Sequence, residues 1–315
     1  MTPSGSAYRG REVRRPRAKR SRAASVALGV VLLAWLLAGC ELSRGSTEGG
    51  IPDTVESGPL VQPFHADFGT EGYSQYESPV HGERIDVVDD PVPGSTRKVL
   101  RMRVNRHDNG PTANSRAQIS TPGNTLQNGD EFWAGVSLYL EPLDAQDKAA
   151  FRDDANGHVS FAQIYGPPYA AAAPVRIGRV WASSLDADLF GVGGVTTGAE
   201  GGVTTTNIWR TPTVEGRWID TVLHVRLSPD PNVGFVEVYF NSGDGAGLVQ
   251  QQLADGTTRT HYATLTTSNW TRGTWPGNHM DLQVYRPARM PIEWMTVFFA
   301  DHAIGNSLEE IRPGG

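Results

Sequence analysis

Three short segments each alternate apolar with polar residues: Arg116-Ala-Gln-Ile-Ser120, Phe161-Ala-Gln-Ile-Tyr165 and Met280-Asp-Leu-Gln-Val-Tyr-Arg286. In an extended chain, side chains two apart share a face. Arg116 and Gln118, Gln163 and Tyr165, and Tyr285 therefore stand on faces that meet if the three strands are neighbours. A guanidinium binds a carboxylate through two parallel hydrogen bonds. Amides add neutral hydrogen bonds, and a phenol with its ordinary pKa near 10 has a proton to give. Together these groups are the equipment for handling a carboxylate-bearing sugar.

The remaining chemistry-bearing residues sort around that set. Among the eight histidines none has metal-ligand spacing such as His-x-x-x-His, so no metal and no cofactor is expected. His158, in Asn156-Gly-His-Val-Ser160, is the best histidine base, and His107 follows a strand that leads toward Arg116. His224 alternates with Val222 and Arg226, which fits a structural hydrogen bond. Paired carboxylates would point to a glycoside hydrolase. Asp89-Asp90, Asp153-Asp154 and Glu309-Glu310 are adjacent pairs, whose members face opposite ways in a strand, so hydrolysis is disfavoured. Trp209, Trp270 and Trp275 sit among Thr, Asn, Gly and Pro and read as loop-borne platforms for sugar rings. Trp133, Trp181, Trp218 and Trp294 read as core. Gly191-Val-Gly-Gly-Val-Thr-Thr-Gly198 precedes no helix and lacks dinucleotide-binding spacing, so it reads as a flexible loop.

Strands must position these groups. Alternation at period two recurs in Val99–Val104, Phe132–Leu140, Ile219–Leu227 and Gly234–Phe240, and the last two read as a hairpin joined by Ser228-Pro-Asp-Pro-Asn-Val233. Only Asp144 to Asp153 suggests a short helix. With 36 Gly and 21 Pro as turn punctuation, the pattern predicts an all-β fold, an antiparallel two-sheet jelly-roll sandwich of the concanavalin A-like kind. A parallel α/β fold would need crossover helices that the sequence does not supply.

The first 39 residues read differently. Eight basic residues between Arg9 and Arg22 precede an apolar run from about Ala23, and Leu36-Leu-Ala-Gly-Cys40 ends it with the chain's only cysteine. This is the pattern of a bacterial lipoprotein signal over residues 1–39, with Cys40 as the lipidated thiol. Residues 40–58, rich in Gly, Ser, Thr, Glu and Pro, read as a flexible tether, and 59–315 as one folded domain. The expected place is the extracellular face of the bacterial cell membrane, held by the lipid, as a monomer.

Of 28 basic and 34 acidic residues, the leader holds 8 and 1, which leaves the rest of the chain at −13. Such a surface repels nucleic acid. It also repels polyanions, so an acidic glycan would need a local positive cleft working against the global field.

The order of the motifs, Arg116-Ala-Gln118-Ile119, then Gln163-Ile164-Tyr165, then His279-Met-Asp281-Leu-Gln283-Val-Tyr285, resembles that of the jelly-roll polysaccharide lyases, the group of alginate, glucuronan and heparin lyases. The resemblance spans about residues 60 to 312. It implies that Arg116, Gln163 and Tyr285 are catalytic. Tyr165 stands where that family's pattern has a histidine base, Gln118 replaces a glutamate, and Asp281 and Gln283 occupy a lysine and a glycine position. The implied reaction is β-elimination in a uronic-acid polysaccharide. Arg116 and Gln163 would neutralise the carboxylate, Tyr285 would move protons, and Tyr165 or His158 would assist as base. Gln118, His107, Arg286 and Trp209 would bind substrate, with Arg286 also a candidate cation for lowering the pKa of Tyr285. The competing expectation is a non-catalytic carbohydrate-binding lipoprotein on the same fold.

Overall fold

The computed structural model describes residues 61–109, 114–122, 126–153, 158–165, 175–182, 185–197, 203–264, 278–287 and 290–312. The chain divides into two units, Met1–Asp53 and Thr54–Gly315. The leader, Cys40 and the tether lie outside the described residues, as do Trp270 and Trp275. Among the described residues, no helix is long and apolar enough to cross a membrane.

Two antiparallel sheets form the domain. The first runs β13 (Val249–Gln250), β12 (Phe235–Asn241), β11 (Trp218–Arg226), β6 (Glu131–Leu140), β16 (Trp294–Gly305), β4 (Lys98–Asn105), β3 (Ile85–Asp89). The short β1 (Phe64–Asp67) also pairs with β16, and β14 (Thr260–His261) with β12. The second sheet runs β10 (Val203–Pro212), β9 (Ala187–Thr197), β8 (Val175–Ala182), β7 (His158–Tyr165), β15 (His279–Arg286), β5 (Ser115–Ser120), β2 (Glu77–Val80). The expected all-β jelly roll is what forms. The expected short helix is α1 (Ala145–Asp153), and the expected hairpin is the β11–β12 pair.

Alternation explains how the sheets stack. Along β6, Phe132, Ala134, Val136, Leu138 and Leu140 are buried between the sheets, while Trp133 and Tyr139 lie outside and only half-buried. In the second sheet Ala117, Ile119, Ile164, Ile177, Leu282 and Val284 enter the same core. Burial of this apolar area, at about 25 cal/mol per Å2, is the main force holding the sandwich together. The other face of the second sheet is thereby left for polar side chains.

Three expectations about individual elements are corrected. The glycine-rich Gly191–Gly198 segment is not a loop: residues through Thr197 belong to β9. Trp209 lies in β10, not in a loop. Trp294 is 41% exposed and is no core residue, because β16 begins at the rim where Arg84 and Arg103 stack over its ring.

Candidate active site

The strands that carry the three alternating segments, β5, β7 and β15, are adjacent, in the order β7-β15-β5. Register sets the site. Across β15 and β5, Tyr285 faces Arg116, Gln283 faces Gln118 and Asp281 faces Ser120. Across β15 and β7, Asp281 faces Gln163 and His279 faces Tyr165. Directly opposed residues have Cβ atoms about 5 Å apart. A checkerboard of polar groups thus forms on one face. Arg116, Gln118, His158, Ser160, Gln163, Tyr165, Arg176, Asp281, Gln283 and Tyr285 line an open cavity of about 350 Å3.

β7 reaches this arrangement through an irregularity. His158 and Ser160 have even numbers, Gln163 and Tyr165 odd ones, and strict alternation would put the two pairs on opposite faces. Between Ser160 and Ala162 the pairing with β8 shifts by one residue, a β-bulge that reverses the phase of the strand. Phe161, which simple alternation places with Gln163 and Tyr165, goes into the core and stacks on Phe190, 6.3 Å between centroids.

The floor of the cavity is a hydrogen-bonded carboxylate. Asp281 is fully buried, and it accepts from Gln163 Nε2 at 2.8 Å and from the Ser120 hydroxyl at 2.7 Å. His279 Nε2 lies 3.2 Å from Oδ1, the oxygen that also accepts from Ser120. This fixes the amide of Gln163: its NH2 meets Asp281, so its orientation follows from the network. Gln283 donates to the Ser160 hydroxyl at 3.0 Å, and its carbonyl oxygen is buried without a partner among the described residues. Arg116 donates to Gln118 Oε1 at 3.4 Å, a long bond that leaves most of the guanidinium uncommitted.

Tyr285 stands at the wall. Its phenol oxygen accepts from the Asn114 amide, and its ring lies 6.3 Å from that of His158. Since the oxygen accepts from Asn114, its own O–H is directed elsewhere. Two cations face it, Arg116 in register on β5 and Arg176 on β8, whose guanidinium is favoured by the charge of Tyr285. Burial nevertheless lowers the Arg176 pKa, and neighbouring Arg210 lowers it further. Tyr165 packs edge-on against His279, with 5.9 Å between the rings.

Three candidates from the sequence stand apart. Arg286 is in phase with Leu282 and Val284, so it points away from the cavity. It is fully buried and donates to the backbone carbonyls of Ile292 (2.5 Å) and Met290; burial pushes its pKa down to about 10, with Arg106 adding repulsion. Arg286 therefore holds the turn after β15, and Arg116 and Arg176 are the cations beside Tyr285. Trp209 is 5% exposed and packs on Phe240 at 4.9 Å, so it is core and not a sugar platform. Its strand also carries a bulge, which turns both Ile208 and Trp209 inward. His107 is exposed in the turn after β4, where its backbone N–H bonds Asn105, and it does not line the cavity. His224 is structural as expected, bonded to Glu237 and Glu131 and stacked on Trp133.

Sequence reasoning missed Arg176 and the anchoring role of Asp281. Arg176 was detectable, because it alternates with the core residues Val175 and Ile177 and so faces the cavity side. Among the described residues no group of three or more His, Cys, Asp or Glu is placed to hold a metal ion.

The comparisons with known proteins narrow what a sandwich with basic, amide and phenolic groups on one sheet face can be. The polysaccharide lyase family matches residues 67–275, and the chain belongs to that family. No curated protein matches the sequence. An endo-β-1,4-glucuronan lyase from the fungus Trichoderma reesei is similar in structure, with TM-score 0.52 and 14% identity, over 80% of this chain and 98% of that one. A marine alginate lyase from Aplysia kurodai has TM-score 0.45 and 8% identity over 79% of this chain and 100% of its own. At such identity the glucuronan lyase supports the fold alone.

Proposed function

We propose that this polysaccharide lyase cleaves a uronic-acid-containing chain by β-elimination, with Tyr285 as the proton-transferring group. The observation that carries the reading is the junction of Tyr285 with Arg116 across β15 and β5, above the amide of Gln163. The hydrogen on the carbon beside a uronate carboxylate is too weakly acidic to leave until the carboxylate charge is neutralised. Arg116 supplies a charge-assisted hydrogen bond to that carboxylate, and Gln163, held by Asp281, supplies a neutral one. As the C–H bond breaks, its electron pair becomes the new C=C bond. The C–O bond to the departing sugar breaks, and that oxygen takes a proton. Tyr285, beside Arg116 and Arg176, is the group placed to take the C–H hydrogen as a proton. The resulting phenol is then the donor to the leaving oxygen. His158, on the same wall, and Tyr165, beside His279 and Asp281, are the groups available to relay protons.

The product carries a conjugated unsaturated uronide, which absorbs near the ultraviolet edge. Tyr285→Phe keeps the ring and removes the proton, so formation of this chromophore on alginate, glucuronan or heparin is expected to fall about 1,000-fold. Activity within tenfold of wild type would remove Tyr285 from the mechanism.

Cys40 is the natural anchor in this reading, and the apolar run before it and the Gly/Ser-rich stretch after it support a lipoprotein on the extracellular face of the membrane. Cys40→Ala should move the protein from the membrane fraction to the soluble one. Retention in the membrane would argue for an uncleaved apolar segment instead.

A further inference from the structure

Beyond Tyr285, the face continues over β8, β9 and β10. A second, smaller pocket of about 70 Å3 lies there, lined by Arg176, Arg210, Gly178, Gly191, Thr206 and Asn207 among others. His158, Ser160 and Arg176 line both cavities, so the two share a wall. The register explains its shape. Ser160 faces Gly178, Gly178 faces Gly191, and Gly191 faces Arg210, so a row across four strands has two residues with no side chain at its centre. A Cβ at Gly178 would collide with the carbonyl oxygen of Val159, and one at Gly191 with that of Trp209. The floor is therefore bare backbone, with arginines rising beside it.

Those arginines are unusual for this molecule. Arg176 and Arg210 have no carboxylate partner among the described residues. The third arginine at this pocket, Arg179, is taken up by Asp188 at 2.9 Å and Glu215 at 2.7 Å. Burial lowers the pKa of Arg176, and Arg210 repels it. Two guanidiniums held close together without a counter-charge, in a chain of net negative charge, raise the local potential where an anion would reside.

We propose that Arg176 and Arg210 form a second carboxylate subsite, which holds a uronate neighbouring the one that is cleaved. This rests on the lyase reading above and deepens it: the preferred substrate is a chain with acid groups on successive sugars. A chain with isolated uronates would leave the arginines uncompensated.

The test is steady-state cleavage of glucuronan and alginate oligomers, over a range of salt, by wild type, Arg210→Gln and Arg210→Lys. Arg210 is exposed, so neither change should prevent folding. Arg210→Gln should raise KM about tenfold with kcat changed by less than about threefold, the signature of lost binding away from the reacting bond. It should also flatten the dependence of kcat/KM on salt, and Arg210→Lys should restore part of both. Unchanged KM and salt dependence would overturn the subsite, as would equal losses in the Lys and Gln variants. If wild type cleaves neither polymer, the lyase reading fails, and direct titration with a glucuronan tetrasaccharide decides the subsite. Binding about tenfold weaker in Arg210→Gln would uphold it, and equal binding would end it. A sulfated polysaccharide without carboxylates that competes as well as the tetrasaccharide would overturn the assignment to carboxylate.

Discussion

The two outer faces of the sandwich treat arginine in opposite ways. On the first sheet, Arg97 pairs with Asp90 at 3.0 Å and lies over Trp218, Arg101 pairs with Asp86 at 2.8 Å, and Arg259 pairs with Glu237 at 2.7 Å over Phe235. On the second sheet, Arg116, Arg176 and Arg210 have no acidic partner among the described residues. Such surface pairs are worth about 0–1 kcal/mol each. Leaving a guanidinium unpaired therefore sacrifices little stability and keeps its full hydrogen-bonding capacity for a ligand. In a chain whose residues after 39 carry a net charge of −13, these three arginines are left without acidic partners, while the cavity's own carboxylate, Asp281, is buried beneath Gln163 and Ser120.

Mutations on the two sheets should separate accordingly. In the proposed mechanism Arg116 neutralises the substrate carboxylate, so Arg116→Ala should lower kcat/KM about 100-fold with the melting temperature little changed. A variant as active as wild type would dissolve the contrast. On the first sheet the larger effect should come from His302. It is buried, its Nδ1 and the Tyr76 hydroxyl share a 2.7 Å hydrogen bond, and burial pushes its pKa down to about 3 from 6.5. The unfolded chain takes up this proton near pH 6.5 and the folded one only near pH 3, so stability falls as pH drops through that window. Between pH 7.5 and pH 5 the loss is about 2 kcal/mol, or about 4–8 °C in melting temperature, and His302→Gln should flatten this slope. Equal slopes would mean that other groups govern acid sensitivity. The smallest effect belongs to Arg97→Ala, about 1 kcal/mol of stability with cleavage rates unchanged. A large loss of activity there would show that the first sheet also takes part in function.

The fold was legible because its strands alternate cleanly: β6 and β11 can be read from hydrophobic phase alone, and the β11–β12 hairpin from its Pro and Asn turn. The site was legible only in part. Arg116, Gln118 and Tyr285 lie on regular strands whose phase holds against each other, so reading every second residue sufficed. Arg286 could have been excluded by the same rule, since a residue next to Tyr285 in a strand must face the other way. Trp209 and the placing of His158 beside Gln163 were not accessible, because both depend on bulges, and pairing irregularities are set by neighbouring strands and leave no mark in local composition. The outward face of Arg176 could be read from its alternation with Val175 and Ile177, but its place beside the β7 groups depends on β8 pairing with β7, which is a matter of topology.

The shift at Phe161 has a consequence for how this molecule can be altered. Phe161 is the extra residue of that bulge, so losing it alone would leave a regular strand in which His158, Ser160, Gln163 and Tyr165 still share one face. That loss would fall on the core, where the ring stacked on Phe190 disappears, whereas losing Ile164, outside the bulge, would turn Tyr165 inward. The reactive face therefore tolerates a shorter β7 only where that strand already holds one residue too many.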